Sequence, residues 1–362
     1  DLHSFPTRRS SDLQLVQEYG TTYPNNGWAE QDDQEWLMAL GEAIPACIRK
    51  AGVAPEEIVA ITCDATTNTL VYLDENDHSV RKPILWMDVR AAGEAAEIDE
   101  IRDQYDATKF YKPSFRADTM IPKNMWVKKN EPENWQKTKT MFEFEDWLNW
   151  ILTDKKTLSM SVAAFRWNYD DKNGGFPVDL LNAVGLDDVL EKVPKEILKV
   201  GDIVGHVSEK AAKAFGLSTD TVVVEGTADC NACMFGVGGV LPNGMTLIGG
   251  TSTCLLGLSK EDFHVDGVNG TYPDCMYDGT SLLEGGQTAA GAILTWFKNN
   301  LVPGSWLEEA VSRDMNIYDY ITEKAKESPI GSGGVVMMDY FQGNRADRKS
   351  TRLNSSHPAG SR

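Results

Sequence analysis

The chain has 362 residues, 41% of them hydrophobic and 25% charged, the balance of a globular protein too long for one ordinary core. Its formal charge of −19, from 35 Lys and Arg against 54 Asp and Glu, argues against a nucleic-acid surface or an anionic membrane as partner. No apolar run reaches the length needed to span a bilayer.

The two ends differ from everything between them. "HSFPTRRSSDL" (3–13) and "RKSTRLNSSH" (348–357) are polar and patternless, and both resemble translated sequencing-adapter read-through. Residues 1–13 and 348–362 are therefore set aside, with the expectation that the body between them is a fragment.

Within the body, "DQEWLMALGEAIPACIRKAG" (33–52) has helical spacing, with Trp36, Leu37, Leu40 and Ile44 on one face and Gly52 at the C-terminal stop. "EEIVAITCDATTNTLVYLDENDHSVRKPILWMD" (56–88) reads as strand, hydroxyl-rich loop, strand, turn and a third apolar run. Helices are predicted over 90–105 and 144–154, and another ends at "AAKAFGL" (211–217). "TVVVEG" (221–226) is a short buried strand, and "TADCNACMFGVGG" (227–239) a helix that begins at Asp229. "MTLIGGTSTCLLGLS" (245–259) forms a strand hairpin, and "EGGQTAAGAILTWFKNN" (284–300) a turn leading into a helix with Ala290, Leu294 and Phe297 on one side. "GVVMMDYFQGNR" (334–345) is an apolar strand running into a polar loop. Strands and helices intermix throughout, so the fold class is α/β, with antiparallel hairpins inside the sheets.

Several of these junctions carry groups suited to chemistry. Asp229 stands where a strand gives way to a helix. That position suits a plain N-cap, but also a carboxylate that takes a proton from a substrate hydroxyl at a sheet's ligand-binding end. The turn containing Gly250, Thr251 and Ser252 offers successive N–H groups and hydroxyls to an anion, although most such turns bind nothing. It is no P-loop, since GxxxxGK[ST] is absent, and no GxSxG elbow suggests a serine hydrolase. Glu284 and Gln287 flank two glycines and could fix sugar hydroxyls, or merely start a helix. Asp88 and Arg90 follow a strand, where a local salt bridge is the simpler reading. Asp64, Thr66, Thr67 and Asn68 cluster hydroxyl, amide and carboxylate groups between apolar strands, where a polar ligand would fit. Arg166 lies among aromatics, most simply as a stacked surface arginine. Cys230 and Cys233 form a CxxC without a second pair or nearby His, so redox or zinc use has little support. Six irregularly spaced cysteines make no disulfide framework and suit a reducing cytoplasm.

Taken together and in order, these segments resemble the FGGY family of carbohydrate kinases, of the actin/hexokinase-like superfamily. "GWAEQDDQEW" (27–36), "LDENDHSVRKPILWMDVRAAGEA" (73–95), "PKNMWVKKNEPENW" (122–135), "TVVVEGTADCNACMFGVG" (221–238), "GGTSTC" (249–254) and "FQGNR" (341–345) carry the resemblance over 14–347. It implies two actin-like domains closing on a cleft, divided here into 14–240 on the sugar side and 241–347 on the nucleotide side, with ATP and Mg²⁺ as cofactors. By the same resemblance Asp229 is the base that deprotonates the attacking hydroxyl, and Gly250, Thr251 and Ser252 hold the β/γ phosphates.

"CDATTN", "GGTSTC" and "EGGQ" look closest to the ribulokinase-like branch, which makes Asp64, Thr66, Thr67, Asn68, Asp88, Arg166, Glu284 and Gln287 substrate-side candidates. A ketopentose is then the expected acceptor, with xylulose or another polyol as alternatives; a homodimer is compatible. A non-catalytic sugar-binding relative of the same fold is the rival reading. The family's opening Asp-x-Gly-Thr hairpin and its later glycine-rich adenosine motif have no counterpart in 14–347, so the chain as given is expected to be inactive.

Overall fold

The computed structural model of the protein describes residues 14–105, 115–241, 244–250, 252–261, 268, 270–287 and 289–337. In chain order the elements are α1 (Asp33–Ala51), β1 (Ala60–Ala65), β2 (Leu70–Leu73), α2 (Ala92–Ile101), α3 (Met120–Asn130), α4 (Pro132–Lys137), β3 (Thr140–Glu143), α5 (Phe144–Thr153), β4 (Thr157–Ser159) and α6 (Met160–Arg166). There follow α7 (Val178–Ala183), β5 (Glu196–Leu198), β6 (Ile203–His206), α8 (Glu209–Phe215), β7 (Val222–Ala228) and α9 (Asp229–Gly236). The last part holds β8 (Met245–Gly249), β9 (Thr253–Ser259), β10 (Gly270–Pro273), β11 (Ser281–Gln287), α10 (Gly291–Asn300), α11 (Gly304–Ser312) and α12 (Ile317–Ala325).

Among the described residues, one sheet has the order β1-β7-β6, with β1 parallel and β6 antiparallel to β7. A second, fully antiparallel sheet has the order β10-β11-β9-β8. Small pairs β2-β3 and β4-β5 complete the set. The α5 helix covers one face of the first sheet, and α9 packs on both β7 and β8, so the two sheets meet around the start of α9.

Local chemistry explains where elements start. Asp32 caps α1 by accepting from Gln34 N–H at 3.0 Å. The apolar side of α1 then supplies Trp36, packed with Val71, Phe142, Trp147 and Trp150. Three expectations change. The apolar run 84–87 forms no strand; Ile84 makes only isolated bridges to Leu70 and Glu30, and the preceding Pro83 lacks a ladder donor. "EGGQ" is the end of strand β11, not a helix start. Val335–Met337 form no strand and are exposed, and the remainder of the predicted 334–345 strand lies outside the described residues.

Beneath the first sheet sits a buried acidic group: Glu145 and Asp146 on α5 with Glu225 on β7. Burial and mutual repulsion push Glu145 and Asp146 well above the usual carboxylate range. Glu225 rises to about 7, mainly through burial, even though Asn149 Nδ2 donates to it at 3.1 Å.

Candidate active site

Asp229 is placed by a fault in the sheet. β1 and β7 are in register from Ala60 to Thr62. The pairing then shifts, so that Asp64 faces Thr227 and Ala65 faces Ala228. The extra residue lies at Glu225–Gly226, where a Cβ on Gly226 would fall well under 3.0 Å from Cys63 O; only a bare Cα fits. The shift sets Asp64 beside the end of β7, where the chain turns into α9.

Asp229 is the first residue of α9 rather than its N-cap; Ala228 holds that place with no side-chain bond. The Asp229 carboxylate accepts from Cys230 N–H at 2.6 Å and stays exposed at the junction. Loss of surrounding solvent raises its pKa; Cys230 N–H and Arg166 oppose the rise, and Asp64 adds to it.

Facing this carboxylate is a polar cluster that joins the two sheets. Arg166, the last residue of α6, makes a two-pronged ion pair with Glu284 of β11: Nη1 to Oε2 and Nη2 to Oε1, both 3.0 Å. Tyr272 of β10 donates its hydroxyl to Glu284 Oε2 at 2.8 Å, and its ring stands edge-on to Phe165 at 4.8 Å. Burial alone would raise Glu284, but the Arg166 charge and these hydrogen bonds hold it down at about 2. On its other side, Arg166 Nε reaches Thr67 Oγ1 at 3.4 Å.

Thr67 belongs to the turn between β1 and β2. Thr66 and Thr69 hydroxyls lie 3.2 Å apart, and Asn68 adopts the left-handed region at φ 61. Asn68 is buried, and its Oδ1 has no hydrogen-bond partner among the described residues. Lys123 of α3, itself fully buried, pins the turn from behind: Nζ donates to Asn68 O at 2.5 Å and to Leu85 O at 2.7 Å.

The remaining candidates go elsewhere. Asp88 is fully buried and its carboxylate serves the scaffold, accepting from Ala29 N–H at 2.6 Å and from Arg90 Nη2 at 2.7 Å. The Arg90 guanidinium in turn lies 4.0 Å over the Trp28 ring, so the local salt bridge, and not a ligand, claims this pair. Gln287 is not brought to Glu284: residues three apart on a strand project from opposite faces, and Gln287 sits exposed beside Thr253. Arg166 is no surface arginine, its side chain being 10% exposed. None of the six cysteines forms a disulfide, and burial lifts the Cys230 thiol well above its ordinary range, which disfavours the thiolate.

The turn between β8 and β9 is partly described; Thr251 lies outside the described residues. Gly250 N–H donates to Ser252 O at 2.9 Å, so that amide closes the turn instead of facing outward. Open space flanks it, since a Cβ on Gly250 would meet nothing nearer than Ser252 O at 3.8 Å. No described cluster of three His, Cys, Asp or Glu is arranged around a metal; a Mg²⁺ arriving with a nucleotide takes most ligands from phosphate and water. A separate cleft of about 610 Å³ runs along β1 and β7; Asp64 and Thr227 line it, whereas Asp229, Arg166 and Glu284 do not.

Three contributors escaped sequence reasoning. Tyr272 lies in no motif. Trp86 is 45% exposed, and its backbone N–H donates to Thr69 Oγ1 at 3.2 Å, beside the hydroxyl-rich turn. Lys123 left one signal, a lysine inside the apolar run "MIPKNMW".

Comparison with known proteins bears directly on this arrangement. Residues 14–236 match the N-terminal domain of the FGGY family of carbohydrate kinases, and residues 245–356 its C-terminal domain. Ribulokinase from Staphylococcus aureus (strain MRSA252) is 29% identical over 342 residues, which cover 90% of this chain and 62% of that protein. The ligand-bound xylulose kinase of Lactobacillus acidophilus superposes with a TM-score of 0.77 at 20% identity, covering 91% of this chain and 64% of that one. Xylulose kinase from Rhodospirillum rubrum gives a TM-score of 0.77 at 22% identity, over 91% and 65%. The chain thus spans less than two thirds of the length of these relatives. Its fold is the two-domain, actin-like kinase fold, and with both domains matched in order around the Asp229 junction, the chain belongs to the FGGY family of carbohydrate kinases.

Proposed function

We propose that the protein transfers the terminal phosphoryl group of ATP, as its Mg²⁺ complex, to a hydroxyl of a pentulose, ribulose before xylulose. The observation that carries the polyol side is the buried, unpartnered Asn68 Oδ1 next to Thr66, Thr67 and the Arg166–Glu284 pair. Hydroxyl, amide and a fixed ion pair in one recess can each donate to or accept from an open-chain polyol. The 29% identity to ribulokinase favours a ketopentose. The domains are taken to meet near residue 240, between the two matched segments.

Asp229 takes the proton of the attacking hydroxyl. It lies at the helix start with one oxygen fixed by Cys230 N–H. Arg166 and Glu284 orient the sugar. Ser252, with Gly250 leaving room, holds the transferring phosphate, for which positioning and charge neutralisation do most of the work. Free thiols throughout suit a reducing cytoplasm.

Calorimetric titration of this chain with ribulose, xylulose and ribitol, run beside an ADP-release assay, tests the reading. Ribulose binding at least tenfold tighter than ribitol binding supports it. Binding of none of the three removes the polyol assignment. Sugar binding without ADP release, even with saturating ATP and Mg²⁺, matches the inactivity expected of this chain as given; the same outcome in a chain that also carries the Asp-x-Gly-Thr hairpin and the adenosine motif favours a sugar-binding protein without catalysis.

A further inference from the structure

One strand joins the sugar side to the phosphate turn. In β11, Glu284 is paired with Leu256, Gly286 with Cys254 and Gln287 with Thr253, so four residues lead from the Arg166 ion pair to the edge of the turn. The turn is tied again just beyond, where Gly291 N–H donates to Gly250 O at 2.9 Å.

Steric room along this path runs opposite to expectation. A Cβ on Gly249 would find its nearest neighbour at 3.5 Å and one on Gly250 at 3.8 Å, both ordinary contacts. On Gly286 it would lie well under 3.0 Å from Thr253 O and 3.2 Å from Cys254 Cα. Those are backbone atoms, so no rotamer change relieves the clash. The glycine that the turn depends on sits across from it, not within it.

We propose that Gly286 is a positioning residue: its bare Cα lets β11 close against Thr253 and Cys254 and so fixes the neighbouring Ser252 and Gly250 relative to Arg166, Glu284 and Asp229. The proposal rests on the phosphoryl-transfer reading of the turn. Transfer between two sites tolerates little misplacement, and a shift of about 1 Å can cost on the order of 10²-fold in rate.

The test is Gly286→Ala in the full chain, read by amide hydrogen exchange and by titration with ATP and with ribulose. Expected are exchange at least tenfold faster over 245–259, unchanged exchange over 160–166, an ATP Kd raised at least tenfold and a ribulose Kd within twofold. Gly249→Ala, where there is room, should exchange like the wild type. Unchanged exchange over 245–259 in Gly286→Ala overturns the proposal, whether or not the wild type binds ATP. Faster exchange in Gly286→Ala, together with a wild type that never binds ATP, would leave the positional role standing without the phosphate reading.

If the variant does not fold, native-state exchange of the wild type in low urea decides. Segments 250–254 and 284–287 should open as one unit, and distinct opening free energies overturn the proposal.

Discussion

Arg166 and Glu284 are held face to face by two N–H···O bonds of 3.0 Å, one residue closing α6 and the other in the middle of β11. Glu284 is 3% exposed and the pair is further anchored by Tyr272, so the contact is dry and directional. Breaking such a pair from one side leaves a buried charge without its partner. Glu284→Ala should therefore destabilise the protein by about 3–5 kcal/mol, measured by urea denaturation, and abolish sugar binding in calorimetry. Tyr272→Phe, which spares the ion pair, should cost much less.

The same pair sets an acid limit. Glu284 titrates near 2 in the folded protein against an ordinary 4.5, so its contribution is complete above about 4.5 and fades as the pH falls toward 2. Stability measured between pH 5 and 2 should drop more steeply in the wild type than in Glu284→Gln. Equal slopes would show that the pair contributes nothing to acid resistance.

Glu225 has the opposite sign. Its folded value is about 7 against 4.5, so the fold binds the proton more tightly than the unfolded chain does. Stability from this group is complete below about 4.5 and declines as the pH rises through 7. Glu225→Gln should flatten the alkaline side of the stability profile and stabilise the protein at pH 8. A variant less stable than wild type at pH 8 would contradict this account.

Asp229→Asn removes the proposed base while keeping its size and its position at the start of α9. In a chain that also carries the Asp-x-Gly-Thr hairpin and the adenosine motif, turnover should fall by about 10²–10⁴, and in either chain the sugar Kd should change less than threefold. Because the Asp229 pKa is raised, the wild-type rate should increase with pH on the acid side until the carboxylate is fully ionised.

Lys123 Nζ donates to two carbonyls, Asn68 O and Leu85 O, the second of which also accepts from Asp88 N–H at 3.0 Å. Lys123→Met should cost about 1–3 kcal/mol for the Asn68 carbonyl left without its donor, and should weaken sugar binding by loosening the Thr66–Asn68 turn. Thermal denaturation and calorimetry read the two effects separately.

Much of this was legible in the sequence wherever local chemistry decides the outcome. The first helix spans 33–51 because Asp32 caps it and its apolar positions share a face; Asp229 opens a helix after a β-branched strand, and the 245–259 hairpin forms as its pattern dictates. The failures share one cause. Whether "EGGQ" continues a strand depends on β9 lying beside it, and whether Ile84–Met87 pairs depends on neighbours 14 and more residues away. Likewise Asp88 and Asn68 are both polar residues after apolar runs, yet one is consumed by Arg90 and the other's Oδ1 has no partner among the described residues. Only the assembled fold distinguishes them.

Trp86 carries a practical consequence. Trp36, Trp147 and Trp167 are sealed in the interior, where an indole emits at short wavelength and is shielded from dissolved iodide. Trp86 is open to water beside Thr69, on the rim of the hydroxyl-rich turn. Trp296 is also open to water, at 41% exposure, so in Trp296→Phe the quenchable, red-shifted emission becomes a native optical gauge of the hydroxyl-rich turn, one that the proposed polyol should mute with no label attached.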